Sequence, residues 1–187
     1  SEHGDSKASV SLVSRIVKIL SNLNTILKNE TLNQNDDDDD DLSTDKIALK
    51  QALTNLNDPL PPIKAQGLYE LRELILKESK VVDYGVVLEL HLLEMKHKEP
   101  FVYLNSIKGL VILCQNSSSL EYLMKLYDEY DNKESSLAIT FEEELRLGEV
   151  LSQFFQNKKY LINNDSHLHI IISIVLKKIN ATNVNKL

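Results

Sequence analysis

The chain has 187 residues, of which 42% are hydrophobic and 26% are charged, as in one ordinary globular domain. Its formal net charge is -7, and six of the negative charges form one run, residues 36–41. The rest of the chain is nearly neutral and has no lysine or arginine run, which excludes the basic face of a general nucleic-acid binder.

The sequence also restricts the cellular setting. No apolar stretch reaches the roughly 18 residues that a membrane span needs, and residues 1–5 do not form a signal peptide. The single cysteine, Cys114, rules out an internal disulfide and favours a reducing, intracellular compartment. Because the first residue is not methionine, we expect the chain to be an excised part of a larger protein.

The N-terminal part divides into two segments. Apolar residues at helical spacing predict a helix within residues 1–28, from about Ala8 to Lys28. Residues 29–45 are rich in Asn and Asp and cannot bury apolar surface, so they are predicted to form an acidic disordered linker. An acidic tract that attracts basic partners is the alternative interpretation of this segment.

Residues 46–187 are predicted to be a helical repeat domain. Proline-containing turns at residues 57–62 and 97–100 separate the first helices, because proline fixes the backbone and removes a hydrogen-bond donor. A polar loop is predicted at residues 131–136. The predicted helices cover about 46–56, 62–75, 84–96, 101–115, 118–130, 139–157 and 165–180.

Two helix pairs match when one is shifted by 39 residues along the sequence. The matched apolar positions include Ile47 with Val86, Leu53 with Leu92, Leu56 with Met95, Ile63 with Val102, Leu68 with Ile107, and Leu71 with Leu110. Gly67 coincides with Ser106, which places a small residue where two helices can approach closely. Leu145-Arg146 matches Ile63-Lys64 at 82 residues, so a third pair has a longer loop.

A helix pair that repeats at about 40 residues is typical of HEAT and armadillo proteins, in which neighbouring pairs share one continuous core. The predicted fold is therefore all-α: a HEAT/armadillo-like α-solenoid of about three helix pairs plus an N-terminal helix. Chance similarity between two amphipathic helical hairpins remains the alternative.

Three sequence blocks resemble a known family. They are Asp58-Pro59-x-x-Pro62-Ile63-Lys64-Ala65-x-Gly67-Leu68, Phe101-Val102-Tyr103-Leu104-Asn105-x-Ile107, and Leu145-Arg146-Leu147-Gly148-Glu149-Val150-Leu151. Together they resemble the C-terminal HEAT-repeat region of the fungal RNA polymerase II assembly and nuclear import factor, which is related to an animal transport and Golgi organisation protein. Lys64 replaces the arginine usual in the family, and the turn before Phe101 carries His97-Lys98-Glu99-Pro100 where acidic residues are expected.

The resemblance implies a protein-binding adaptor in RNA polymerase II assembly and nuclear import. Its expected partners are polymerase subunits, chaperone-complex components and nuclear transport components, and its expected location is the cytoplasm with shuttling to the nucleus. A helical structural module in membrane trafficking and Golgi organisation is the alternative. The sequence indicates no oligomeric state.

No residue pattern predicts an enzyme, a cofactor or a metal site. His91, Glu94 and His97 do not share one helix face, so they cannot chelate a metal without ligands from elsewhere. Cys114 lies in an apolar run and is expected to be buried, without a neighbouring base that would make it a nucleophile. Glu142, Glu143 and Glu144 are expected to stabilise a helix N-terminus rather than perform acid–base chemistry.

The candidate partner-binding residues are polar or aromatic side chains on the second helix of each pair, which is expected to line a concave face. The alternative role, for Tyr103 and Asn105, is to bond to neighbouring backbone and hold adjacent repeats in register. The full candidate set is Lys64, Arg72, Tyr103, Asn105, Lys108, Arg146 and Glu149.

Overall fold

The computed structural model describes residues 40–129 and 140–157. The chain divides into two compact units, Ser1–Ser43 and Thr44–Leu187, and nearly all the described residues belong to the second. The helices predicted at 8–28 and 165–180 and the loop predicted at 131–136 lie outside the described residues.

Six helices and no strand form the described part of the chain, which confirms the all-α prediction there. Apart from α1, their ends fall within one or two residues of the predicted ones. In chain order they are α1 (Asp40–Leu56), α2 (Pro61–Leu76), α3 (Tyr84–Glu94), α4 (Pro100–Leu113), α5 (Ser117–Glu129) and α6 (Phe141–Gln156).

Helix α1 begins earlier than predicted. Its first residue is Asp40, not Lys46, so the last six residues of the predicted linker are helical. Asp45 is buried, and its carboxylate accepts a hydrogen bond of 2.8 Å from Lys77, just after α2. This partner holds the pKa of Asp45 below its usual value. Lys77 is 32 residues further along the chain, so the amino-acid composition of residues 29–45 gives no sign of this stabilising contact.

Local signals fix the N-terminal ends of three of the other helices. Helix α2 starts at Pro61. Proline lacks an amide hydrogen, but an amide in the first turn of a helix has no partner within the helix. The carboxylate of Asp83 accepts from the backbone of Val86 and caps α3. Thr140 and Glu143 form a reciprocal capping box at the start of α6.

The helices pack in two groups, with α2, α4 and α6 in one and α3 and α5 in the other. Helix α4 lies between α2 and α6 and contacts both, whereas α3 packs against α4 and α5 packs against α6. Helices α3 and α5 also contact each other. Large side chains from five of the helices are fully buried, including Leu68, Leu71, Leu110, Leu123, Leu147 and Phe154. In the part of the chain that the structure describes, no helix has the length and apolar character to cross a membrane.

The residues matched by the 39-residue shift make comparable close contacts. A Cβ atom on Gly67 would lie 2.6 Å from the carbonyl oxygen of Ala52 in α1, so only glycine fits there. Ser106, the counterpart of Gly67, donates a short hydrogen bond to the carbonyl of His91, the counterpart of Ala52. The predicted close approach of helices at Gly67 and Ser106 is therefore confirmed.

Two residues matched as core positions are instead exposed. Ile47 has an exposed fraction of 68%, because it lies two residues before the buried Leu49 and so about 200° around the helix from it. Leu145 has an exposed fraction of 58%. It lies nine residues before the fully buried Phe154 and therefore points to the opposite side of α6.

Candidate functional site

Large apolar side chains are exposed on the three helices α2, α4 and α6. Their positions lie outside the apolar stripes that these helices bury. We call this set the apolar face; it comprises Tyr69, Leu76, Phe101, Leu104, Phe141 and Leu145, with exposed fractions between 41% and 67%. A concentration of exposed apolar groups is typical of a surface that binds another protein.

Helix α4 contributes the centre of the apolar face. Because α2 and α6 flank α4 and α3 packs behind it, only one side of α4 remains for exposed residues. Phe101 and Leu104 lie on this side, with Lys108 one turn further along. The amide of Asn105 donates 2.8 Å to the carbonyl oxygen of Phe101, so Asn105 bonds within its own helix.

Tyr103 and Arg146, two of the candidate residues, lie together between α4 and α6. The guanidinium carbon of Arg146 is 3.9 Å from the centre of the Tyr103 ring, which is a cation–π contact. The same guanidinium donates to the carbonyl oxygens of Met95 and, at 2.9 Å, His97. Arg146 therefore binds the end of α3 and the following turn to α6.

Lys64 makes the corresponding link at the start of α2. Its ammonium donates 2.6 Å to the carbonyl oxygen of Leu56, at the end of α1, and lies 3.1 Å from the carboxylate of Glu94. Leu56 and Met95 are equivalent under the 39-residue shift. Lys64 and Arg146 therefore use their cationic groups inside the molecule, in the register-holding role that the sequence left open for Tyr103 and Asn105.

The remaining candidates differ in exposure. Arg72 stacks on Tyr69 at 4.8 Å, and its side chain is only 15% exposed. Lys108 is exposed, and Glu149, also exposed, accepts a hydrogen bond of 2.7 Å from Gln153. Of the seven candidates, Lys108 and Glu149 are thus the most accessible to a partner. Partner binding by any of the seven stays a prediction.

Burial shifts the pKa values of two titratable groups, Cys114 and His91. Burial raises the pKa of the Cys114 thiol to about 12, so the nucleophilic thiolate is absent at neutral pH. Burial also lowers the pKa of His91 to about 4, outweighing the effect of its hydrogen bond to Val87. Among residues 40–129 and 140–157, no group of three or more metal-ligating side chains is assembled.

Sequence reasoning did not select the apolar face, although a signal for it was present. Leu145 and Phe141 are apolar but out of phase with the stripe Leu147, Val150 and Phe154 that α6 buries. A helix of a globular domain needs only one such stripe, so apolar residues beside it indicate a second contact surface.

No solved structure matches the chain. The chain is 38% identical over 150 residues to the RNA polymerase II assembly factor RTP1 of Saccharomyces cerevisiae; the match covers 79% of this chain and 15% of that protein. It is 29% identical over 111 residues to the RNA polymerase II assembly factor rtp1 of Schizosaccharomyces pombe, covering 59% of this chain and 14% of that one. Both names describe assembly factors rather than enzymes.

The chain thus spans about a seventh of the length of these two relatives. The family model described as "Required for nuclear transport of RNA pol II C-terminus 1" matches residues 49–161. This range contains α2 to α6, the apolar face and the links made by Lys64 and Arg146. The chain therefore belongs to the family that carries this description.

Proposed function

We propose that this chain is a non-catalytic, protein-binding scaffold or adaptor that acts in RNA polymerase II assembly and nuclear import. Its partners under this proposal are polymerase subunits and components of the chaperone and nuclear transport machinery. It works in the cytoplasm and shuttles to the nucleus. The names of the two relatives and the family description support this role.

We further propose that the six described helices are three HEAT-like pairs, α1–α2, α3–α4 and α5–α6, stacked as an α-solenoid. The contacts of α4 with both α2 and α6 support this arrangement, because a solenoid aligns the second helices of successive pairs. The equivalent positions of Gly67 and Ser106 support it as well.

The apolar face is the observation that carries the binding role. Six of the nine large hydrophobic side chains that are exposed in the described residues belong to it. The helices beneath them are held by links such as Arg146 to Met95 and His97. A rigid surface loses little conformational entropy on binding, so a few apolar anchors provide useful affinity.

Binding of purified RNA polymerase II subunits to the immobilised chain tests the proposal. In the test variant, Phe101→Ser is combined with Leu145→Ser, which removes two anchors from the apolar face. We expect the dissociation constant to rise by about tenfold or more, since interface anchors commonly contribute over 1 kcal/mol each. Both side chains are more than half exposed, so the fold should tolerate the changes.

A matched control combines Ile47→Ser with Leu60→Ser. These residues are exposed to 68% and 57%, compared with 66% and 58% for Phe101 and Leu145, but they lie outside the apolar face. The control should bind within about twofold of the unchanged chain, a difference of about 0.4 kcal/mol. Equal losses in both variants, or normal binding by the test variant, would show that the apolar face is not the polymerase-binding surface.

A further inference from the structure

Helices α4 and α6 lie side by side and start at the same end of the domain. Lys96, in the turn before α4, lies 3.2 Å from the carboxylate of Glu143 at the start of α6. In the same turn, the carbonyl oxygen of His97 accepts a hydrogen bond of 2.9 Å from Arg146. The two helices pack against each other from this common end, so they run parallel. A shallow groove lies between the exposed sides of two such helices.

The exposed leucines of α4 and α6 point to the same side of this pair. Tyr103 faces α6 and Arg146 faces α4, because their side chains stack at 3.9 Å. Leu104 follows Tyr103 and Leu145 precedes Arg146, so each leucine is turned by about 100° from the contact, in opposite rotational senses. In parallel helices that face each other, opposite rotations lead to the same side. Both leucines are exposed there, at 46% and 58%.

Each helix continues its exposed apolar row with one charged residue. Spacings of three and four residues keep the members of a row on one side of the helix. The charged residue of each row follows a leucine by one turn and is exposed. The groove is therefore apolar along its first part and then flanked by a cation on α4 and an anion on α6. We call these six residues the α4–α6 groove: Phe101, Leu104 and Lys108 on α4, and Phe141, Leu145 and Glu149 on α6.

The two charged groups of the α4–α6 groove remain available to a partner. Within the described helices Lys108 forms no ion pair, and Glu149 accepts a hydrogen bond of 2.7 Å from Gln153, which is a neutral side chain. By contrast, the carboxylate of Glu142 is already paired with Arg146. A molecule that fills the groove therefore meets one unneutralised charge of each sign, and its own charges must complement both.

We propose that the α4–α6 groove binds one amphipathic helix of a partner protein, with a carboxylate on the flank facing α4 and a cation on the flank facing α6. A third helix fits because its apolar side chains at i, i+3, i+4 and i+7 can interdigitate with those of two packed helices. One turn beyond its apolar contacts, its carboxylate meets Lys108 and its cation meets Glu149. This inference rests on the binding role proposed for the apolar face and adds the chemistry of the partner.

The handedness of the α-helix determines the order of the two charges in the partner. We consider a partner helix that runs parallel to α4 and directs its apolar stripe into the groove. On α4, a rotation by one residue leads from the α6 side at Tyr103 to the exposed side at Leu104. The partner faces the opposite way, so the same rotation leads from the groove towards α6. The residue before a stripe residue therefore faces α4 and should be acidic, whereas the residue after it faces α6 and should be basic.

Fluorescence anisotropy with the full 187-residue chain tests this order. Two fluorescein-labelled peptides have about eighteen residues each, because shorter isolated helices are marginal in water. Both consist of alanine and glutamine around leucines at i, i+3, i+4 and i+7. In the first peptide glutamate precedes and lysine follows the last leucine, and in the second the two are exchanged. We expect the first peptide to bind about fivefold more tightly, because two exposed ion pairs become like-charge contacts in the second. The preference should disappear in about 1 M potassium chloride.

The deciding variant exchanges the two charges of the groove, Lys108→Glu with Glu149→Lys. It keeps the net charge of -7, so nonspecific attraction is unchanged, and both positions are exposed. We expect its preference to reverse in favour of the second peptide. The matched control exchanges an exposed ion pair on α5, Glu121→Lys with Lys125→Glu. This control also keeps the net charge and should retain the preference of the unchanged chain.

Three outcomes would overturn the proposal. In the first, neither peptide binds the unchanged chain at millimolar concentration. In the second, the chain binds both peptides equally, and in the third its preference survives the exchange of Lys108 and Glu149. These failures are distinct from a failure of the proposed function, which is measured with polymerase subunits. A chain that binds the subunits can fail to discriminate between the peptides, and a chain that discriminates between the peptides can fail to bind the subunits.

Discussion

The buried imidazole of His91 makes the stability of the fold depend on pH. Its Nδ1 lies 3.0 Å from the carbonyl oxygen of Val87, so Nδ1 carries the proton and donates. Within residues 40–129 and 140–157 its Nε2 has no hydrogen-bond partner, and it faces Gly109 of α4, where a Cβ atom would lie only 2.0 Å away. Protonation of Nε2 would place an unpaired charge in this packed contact, with the positive charge of Arg72 nearby.

The direction and size of the effect follow from the two pKa values of His91. Unfolded, the side chain titrates near 6.5, whereas in the folded protein burial lowers its pKa to about 4. Above pH 6.5 both states are neutral and the full stability is present. As the pH falls from 6.5 towards 4, only the unfolded state gains the proton, so stability is lost. Linkage gives a loss of about 2 kcal/mol at pH 5, and about 3 kcal/mol at the limit.

Urea unfolding followed by circular dichroism at pH 7.5 and pH 5 measures this loss. The comparison is with His91→Leu, which fills similar space and cannot titrate. Between the two pH values, the unchanged chain should lose about 2 kcal/mol more than the variant. Because the carboxylates titrate in both proteins, the difference isolates His91. If both proteins lose the same free energy of unfolding, His91 is not held neutral in the folded protein.

Three further predictions concern stability, each measured by urea unfolding. Gly67→Ala should lower the free energy of unfolding by about 1–3 kcal/mol, because the added methyl group overpacks against α1. Gly148→Ala, whose Cβ atom would meet Tyr127 at an ordinary 3.6 Å, should instead raise it by up to about 1 kcal/mol. Equal effects of the two substitutions would contradict the packing argument. Glu78→Gly should gain about 0.5–1 kcal/mol by relieving the positive φ at this residue, and a loss would mean that the backbone is not strained there. Arg146→Ala should cost about 2 kcal/mol; unchanged stability with weaker polymerase binding would make Arg146 a partner contact instead.

The helices were predictable because each buries one apolar stripe at the helical period. In α4, Val102, Ile107 and Leu110 form such a stripe, and all three are buried. The early start of α1 was not predictable in this way. Its first residues are acidic and carry no periodic signal, whereas the burial of Asp45 against Lys77 is a tertiary contact. Composition describes a segment in isolation, but a helix end depends on what packs against it.

The candidate site was only partly accessible from the sequence. Arginine and lysine on the second helix of a pair are reasonable partner contacts, because their charged groups usually remain in water. Their long side chains also reach the carbonyl oxygens at the ends of neighbouring helices, as Lys64 does at Leu56 and Arg146 at Met95. Whether the charged group stays in water or reaches a neighbouring carbonyl oxygen depends on the distance between helices. The spacing of residues within one helix does not reveal that distance.

The two matched helix pairs differ at the exposed apolar positions of α4. Under the 39-residue shift, Phe101 coincides with Pro62 and Leu104 with Ala65, which is buried. The stacking of helix pairs therefore does not require an exposed phenylalanine or leucine at either position of α4. An exposed apolar side chain that the repeat does not require contributes nothing to the core and carries an association risk. Contact with a binding partner gives these residues a physical reason to be present, which supports the apolar face as the proposed partner-binding surface of the chain.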